Sequence, residues 1–147
     1  MKNTTEALAV FPIRHAIEVQ WRDMDAAQHV NNVIYLSWAE SSRVAYFYGL
    51  GNEVISKINH IGFILAWQDC KYIFPVTFPD SIHMGVKATE IGTDRFTLET
   101  HMYSERHDRI VAISKQIVVT YDYKKLEKID LPDFIKDNIE QLESTKY

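Results

Sequence analysis

Residues Val33 to Tyr48 form a helical pattern that is apolar on nearly every side, and no other segment restricts the fold as strongly. Val33, Ile34, Tyr35, Leu36, Trp38 and Ala39, followed by Val44, Ala45, Tyr46, Phe47 and Tyr48, cover the whole helical wheel. Glu40 and Arg43 are its only charges. A helix without a polar face is buried rather than laid on a surface. Its small residues (Ser37, Ala39, Ser41, Ser42, Ala45) let a sheet approach closely, and Gly49 and Gly51 supply the stop. One sheet face cannot cover such a helix. The expectation is a sheet that wraps it and a second copy that buries the rest.

The remaining chain offers that sheet. Arg14 to Trp21 alternates as a strand with Ile17, Val19 and Trp21 on one face. Gly62 to Val76, Ser81 to Ile91, Arg95 to Tyr103 and Arg109 to Tyr123 are long β-prone runs, and Ile117 to Val119 suits a central strand. The breaks at Pro75 to Asp80, Gly92 to Asp94 and Ser104 to Asp108 are hairpin-length, so neighbouring strands should be antiparallel. Asn52 to His60 reads as a further short turn of helix. Pro132 to Ser144 reads as a polar closing helix with Pro132 near its first turn. Strand, buried helix, four strands and tail helix make an α+β arrangement.

Composition removes several functional classes. The net charge of −4, with only short basic pairs such as Lys124-Lys125, lacks the basic stripe of a nucleic-acid binder. Cys70, the single cysteine, cannot form an internal disulfide, and no zinc-type spacing is present, so no metal is expected. The first ten residues lack the apolar core of a signal peptide, and no apolar run approaches the ~18 residues of a membrane span. A cytoplasmic protein with no membrane span is the expectation.

The segment from Trp21 to Tyr35 concentrates chemistry. Asp23, Asp25, His29, Asn31 and Asn32 fall within ten residues, directly before the apolar helix. Asn31 and Asn32 are good N-cap residues. The first N–H groups of the helix have no intrahelical partner and carry partial positive charge, so a carbonyl oxygen placed there is polarised. A carboxylate just upstream can attack that carbonyl or activate a water toward it. On residue types alone, Asp23 and Asp25 read first as caps or solvated turn residues, His29 as a loop hydrogen-bonder, and Asn31 and Asn32 as caps.

The pattern Asp23-x-Asp25-x-x-x-His29-Val30-Asn31-Asn32-x-x-Tyr35, followed by Trp38, Glu40 and Arg43, resembles the 4-hydroxybenzoyl-CoA thioesterase-like branch of the hotdog superfamily. It is also similar to the corresponding loop of acyl-ACP thioesterases. The resemblance covers most of the chain, with Gly62 to Ser81 matching the second strand and its Pro-containing turn. It implies a single hotdog domain over residues 1–147, with a short tail over about 1–10 and a closing helix over about 132–144. It further implies a five-stranded antiparallel sheet around the long helix. The dimer it implies joins two sheets edge to edge, can pair again into a tetramer, and carries its active sites at the interface. The implied activity is hydrolysis of an acyl-CoA, with coenzyme A as part of the substrate and no other cofactor. Asp25 takes the catalytic position, Asn32 or its neighbour the carbonyl-polarising N–H, and His29 an orienting one.

Asn31, Tyr35, Phe63 and Trp67 are the candidate substrate contacts. The chain departs from the family at Ala26-Ala27-Gln28, where glycine is common, and at Pro79-Asp80. Glu40, a helix carboxylate of the kind some hotdog enzymes use, is better explained as an i, i+3 partner of Arg43. Cys70 reads as a packed structural thiol. Lys57, Arg95, Arg106 and Arg109 are candidate phosphate contacts among which the sequence does not choose. The alternatives are an acyl-ACP thioesterase, a hotdog hydratase or dehydratase pairing His29 with Asp25, and a non-enzymatic acyl-binding module.

Overall fold

The computed structural model describes residues 6–51 and 60–144. Strand β1 (Ile13–Glu18) runs through a short 3-10 turn (Trp21–Asp23) to helix α1 (Asn32–Gly49). Four strands follow: β2 (Ile61–Tyr72), β3 (Ser81–Ile91), β4 (Arg95–Ser104) and β5 (Arg109–Asp122). A two-residue strand β6 (Glu127–Lys128) and helix α2 (Asp133–Glu143) close the described chain. All pairings are antiparallel in one sheet of order β1-β3-β4-β5-β2, with β6 added to β5. Helix α1 touches β1 through β5, so the sheet wraps it and the α+β hotdog arrangement is the observed one. No helix among the described residues is long and apolar enough to cross a membrane.

Local chemistry explains the element ends. Asn31 caps α1 by accepting the Val33 N–H at 3.0 Å. Gly51 stops it in a left-handed conformation (φ 106°) with its N–H on the Tyr48 carbonyl, a position where a Cβ would be strained. The β4–β5 turn closes with Asp108 at φ 55°, its N–H on the Ser104 carbonyl at 2.8 Å.

The core divides into two large clusters and a small one. Val19, Val30, Tyr35, Trp38, Met84 and Met102 pack around the first half of α1. Tyr46, Phe96, Leu98, Val118, Ile135 and Ile139 pack around its second half. Leu8, Phe11 and Tyr103 form the third, so the expected tail is packed from Leu8 onward. Phe11 lies so close to Gly85 that a Cβ there would meet its ring at 2.6 Å.

Two sequence expectations are corrected. Trp21 does not continue the face of Ile17 and Val19; it is 73% exposed. The chain leaves the sheet after the Val19 N–H bonds the Asp80 carbonyl, and Trp21 enters the 3-10 turn. Strand β2 ends at Tyr72 rather than Val76, because the N–H groups of Ile73 and Phe74 converge on the Val111 carbonyl and peel the chain away. Within a single chain helix α1 buries one face, which leaves the rest for the second copy that its apolar pattern predicts. Tyr35, Trp38, Ala39, Ser42 and Tyr46 are buried, while Val33, Val44 and Tyr48 are exposed. The five expected strands form the sheet path, and the two-residue β6 is added beside β5. The expected turn of helix over Asn52 to His60 lies outside the described residues except for His60.

Candidate active site

The loop before α1 folds as a small hairpin. Met24 and Val30 form an antiparallel bridge, the Asp25 N–H bonds the His29 carbonyl at 3.1 Å, and the Gln28 N–H returns to the Asp25 carbonyl at 2.9 Å. Gln28 closes the turn with φ 64°. Two bonds seat the hairpin on the body: Val30 N–H to the Val76 carbonyl at 2.8 Å, and Asn31 N–H to the Asp23 carbonyl at 2.9 Å. The loop is therefore a fixed platform in front of the helix.

Asp25 is exposed at the hairpin tip. Its Oδ1 accepts the Ala27 N–H at 2.9 Å, and among the described residues its second oxygen accepts no hydrogen bond. Asp23 is used differently: its Oδ2 accepts the Gln20 N–H at 2.8 Å and caps the 3-10 turn. The two acids are thus separated by role: Asp23 closes the 3-10 turn, and Asp25 keeps one oxygen without a partner among the described residues.

At the helix start, the Val33 N–H is taken by Asn31 Oδ1 and the Ile34 N–H by the Asn31 carbonyl at 2.9 Å. The Asn32 N–H finds no acceptor among the described residues, as geometry requires of the first helical N–H groups. Asn32, His29, Val30, Tyr35, Tyr72 and Phe74 line one cavity of about 310 Å³, together with Ile73 and Pro75. Burial pushes the Tyr35 phenol up to about 12, so it stays protonated. Its ring meets Tyr72 edge-on at 5.0 Å, and the Tyr72 hydroxyl donates to the Asn32 carbonyl at 3.0 Å.

Asp25 lines a different concavity, one of about 460 Å³ shared with Trp21, Met24, Gln28, Thr77 and Phe78. Trp21 and Phe78 are exposed aromatics, and the Phe78–Pro79 peptide bond is cis. The structure therefore brings His29, Asn32 and Tyr35 together in one cavity, with Asn31 capping the helix, and places Asp25 in a second one. The hairpin contributes to both, His29 and Val30 to the first and Met24, Asp25 and Gln28 to the second.

Phe63 and Trp67 are not brought to either cavity. Phe63 packs on Phe47 and Phe96, with ring centroids 4.7 and 5.6 Å away, in the second core cluster. Trp67 is half-exposed beside a bulge in β2. Among the cations, Arg95 is held by Asp94 at 2.7 Å. Arg106 reaches Thr77 Oγ1 at 3.4 Å and the Pro79 carbonyl at 3.3 Å, beside the Asp25 concavity. Arg109 sits over the Phe74 ring at 4.4 Å, beside the Asn32 cavity, and the His107 ring lies 4.8 Å from the same ring. Lys57 lies outside the described residues. Glu40 pairs with Arg43 at 3.7 Å, as the i, i+3 spacing implied. Cys70 is half-buried and burial pushes its thiol up, which suits packing rather than attack.

Sequence reasoning missed Tyr72, Met24, Thr77 and Phe78. Tyr72 ends β2 two residues beyond Cys70, and only the pairing of that strand end with the helix start reveals it. Met24 could have been found from its place between the two acids; its Sδ accepts the Phe78 N–H at 3.5 Å.

The wrapped sheet and its central helix are matched by comparison with known proteins. The chain belongs to the thioesterase-like superfamily, whose profile matches residues 19–139. It is a thioester hydrolase on the hotdog fold. A thioesterase of Thermus thermophilus, solved with coenzyme A and Zn, is 25% identical over 94% of this chain and 98% of its own, with a TM-score of 0.79. The PA5185 protein of Pseudomonas aeruginosa strain PAO1 is 22% identical over 95% and 97%, with a TM-score of 0.79. The DHNA-CoA thioesterase of Staphylococcus aureus is 14% identical over 89% and 87%, with a TM-score of 0.75, and shares the fold. No curated protein matches the chain. Among the described residues of this chain, no group of three or more His, Cys, Asp or Glu could hold a metal ion.

Proposed function

We propose that this hydrolase is an acyl-CoA thioesterase in which Asp25 acts on a thioester carbonyl polarised by the Asn32 N–H. The observation that carries the reading is the pair of unoccupied groups at the hairpin: one carboxylate oxygen of Asp25 and the first N–H of α1, with the N–H groups of Val33 and Ile34 already taken. The thioester lies across the hairpin with its carbonyl oxygen toward the helix start, where the dipole favours developing negative charge. Asp25 then attacks the carbonyl carbon or takes a proton from the attacking water, and the thiolate of coenzyme A leaves. His29 and Asn31 shape the site, and Tyr35 holds the cavity wall as a neutral phenol. Phe63 and Trp67 are assigned no contact in this reading.

Coenzyme A rather than a carrier protein is favoured by Arg106 and Arg109, which place a guanidinium beside each concavity where phosphates can pass. The bound coenzyme A of the Thermus thermophilus thioesterase supports the same choice. Acyl-ACP is the rival carrier, and matched turnover of acyl-CoA and acyl-ACP separates the two. A second copy completes the assembly: among the described residues β2 pairs with β5 alone and leaves its other edge open, and Val33, Val44 and Tyr48 of α1 are exposed. A dimer in the cytoplasm, or a pair of dimers, is therefore part of the proposal, and light scattering on the purified protein checks its mass.

The central test is Asp25→Asn assayed on a panel of acyl-CoA thioesters. The expected result is a fall in kcat of about 10²–10⁴ with an unchanged melting temperature. Full activity in the variant overturns the assignment.

A further inference from the structure

The two large core clusters are separated by a belt of polar side chains to which β1, α1, β4 and β5 contribute at one level. His15 lies between Ile13 and Ile17 on β1, and Ser42 and Arg43 lie between Ala39 and Tyr46 on α1. Thr100 lies between Leu98 and Met102 on β4, and Ser114 and Gln116 between Ala112 and Val118 on β5. Part of the belt is satisfied. His15 Nε2 meets Ser42 Oγ at 2.9 Å, and Ser114 Oγ donates to the Asp69 carbonyl at 2.7 Å. The rest is not. Thr100 and Gln116 are both fully buried, yet among the described residues Thr100 Oγ1 and both amide atoms of Gln116 have no hydrogen-bond partner, nor has Nη1 of Arg43, whose Nη2 faces Glu40 at 3.7 Å.

These orphaned groups belong to one place. Gln116 is the register partner of Leu98, so Thr100 is its diagonal neighbour on the same face, ~7–8 Å away by sheet geometry. Arg43 precedes Phe47 by one helical turn, and Phe47 stacks on Phe63; two turns earlier Tyr35 meets Tyr72. Phe63 and Tyr72 bracket Gln68, the β2 partner of Gln116, just as Phe47 and Tyr35 bracket Arg43 along α1, so the two stretches lie level. Each buried, unpaired polar group costs about 1–3 kcal/mol, and native proteins rarely leave one without a use. Here three elements deliver such groups to one level.

We propose that this belt receives the far end of the acyl group, and that the enzyme acts on acyl thioesters ending in a carboxylate. The inference rests on the acyl-thioesterase reading above and names its substrate class. Three of the orphaned groups donate: the Arg43 Nη1–H, the Gln116 amide N–H and the Thr100 hydroxyl. A carboxylate accepts from all of them, whereas a methyl end leaves them bare. Reach sets the length. Tyr72 lines the cavity at the helix start and is level with Ala112, and Gln116 lies four residues further along β5, about 14 Å at ~3.4 Å per residue. A medium-length chain spans that distance and a single benzoyl ring does not.

The test compares two medium-chain acyl-CoA substrates of equal length, one ending in methyl and one in carboxylate, on the wild type, Gln116→Leu and Thr100→Val. The wild type is expected to prefer the carboxylate-ended substrate by about ten-fold or more in kcat/KM, and both variants to lose that preference. Thr100→Val is near-isosteric and guards against a Gln116→Leu that fails to fold. Thermal shift with the free acids reads the site without turnover: the dicarboxylic acid should raise the wild-type melting temperature more than the monocarboxylic acid does, and Gln116→Leu should abolish the difference. Equal kcat/KM and equal shifts in the wild type overturn the proposal, as does a preference that survives both substitutions; water then fills the belt. If no acyl-CoA is hydrolysed while the dicarboxylic shift is present and lost in Gln116→Leu, the thioesterase reading falls and the belt stands.

Discussion

The two ends of helix α1 are built on opposite principles. At its C-terminal end the core is sealed. Helix α2 lays Ile135 and Ile139 into the second cluster, Asn138 Nδ2 donates to the Leu50 carbonyl at 3.0 Å, and one carboxylate oxygen of Glu143 accepts both the Tyr46 hydroxyl and the Ala88 N–H. At its N-terminal end the core is left open. Among the described residues the Asn32 N–H and one Asp25 oxygen are unoccupied, and Trp21 and Phe78 stand exposed beside Asp25. The lesson is that stability is concentrated where every polar group is answered, and reactivity where two complementary groups are not. Substitutions at the sealed end should cost folding free energy; those at the open end should cost rate.

The strongest way to break that contrast is to hollow the sealed end. Ile135→Ala removes a fully buried side chain that packs between α2 and the sheet. The expected loss is about 2–5 kcal/mol in denaturant unfolding. The KM of whatever protein remains folded should be unchanged. A large change in KM at full occupancy of the folded state would show that the two ends are not separate.

Much of this contrast was legible in the sequence, and the exceptions have physical causes. The run from Val33 to Tyr48 announced α1 because a helix apolar all round has few other fates, and Asn31 and Gly51 marked its ends by cap chemistry. Strands β3, β4 and β5 were legible because hairpin turns and alternation agree within each. Trp21 misled because period-two alternation continues past Val19 while the hydrogen bonds do not, and side-chain pattern carries no record of where a backbone turns away. Tyr72 and Phe78 were invisible for another reason: they reach the site by pairings distant in sequence. The choice of Asp25 over Asp23 needed the family pattern, because a capping acid and a free acid are the same residue until Gln20 and Ala27 are placed around them.

A sharper probe of the sealed end is Glu143. Glu143→Leu leaves the buried Tyr46 hydroxyl and the Ala88 N–H unanswered, and the expected destabilisation is about 1–3 kcal/mol. Adding Tyr46→Phe should recover part of that loss by removing one of the stranded groups. Burial and the Glu143 carboxylate both push the Tyr46 phenol up, so the bond is made by a neutral hydroxyl and this rescue should not vary with pH. A double-mutant cycle in chemical denaturation reads the coupling.

At the open end the matching probe is the cap. Asn31→Ala removes the acceptor of the Val33 N–H, for an expected cost of about 1 kcal/mol. It also frees a second N–H beside Asn32. Turnover should fall by more than stability alone explains, with kcat affected more than KM, because the helix start would no longer present a single oriented donor. Equal proportional losses of folded protein and activity would assign Asn31 to the fold alone.

The smallest effect lies between the two ends, on the belt, and it depends on pH. His15 is half-buried with its Nε2 on Ser42 Oγ, and burial lowers its pKa below the usual 6.5. The unfolded chain therefore binds a proton at a pH where the folded chain does not. Stability contributed by neutral His15 is complete above the unfolded value and is lost as pH falls through 6.5 toward the lower folded value. Denaturant midpoints measured from about pH 7.5 down to about 5 should decline with a slope that His15→Gln reduces, since an amide can still reach Ser42 and does not titrate. The same substitution should leave the unfolding cost of Ile135→Ala unchanged if the belt separates two independent clusters, and should alter it if the clusters communicate through Ser42.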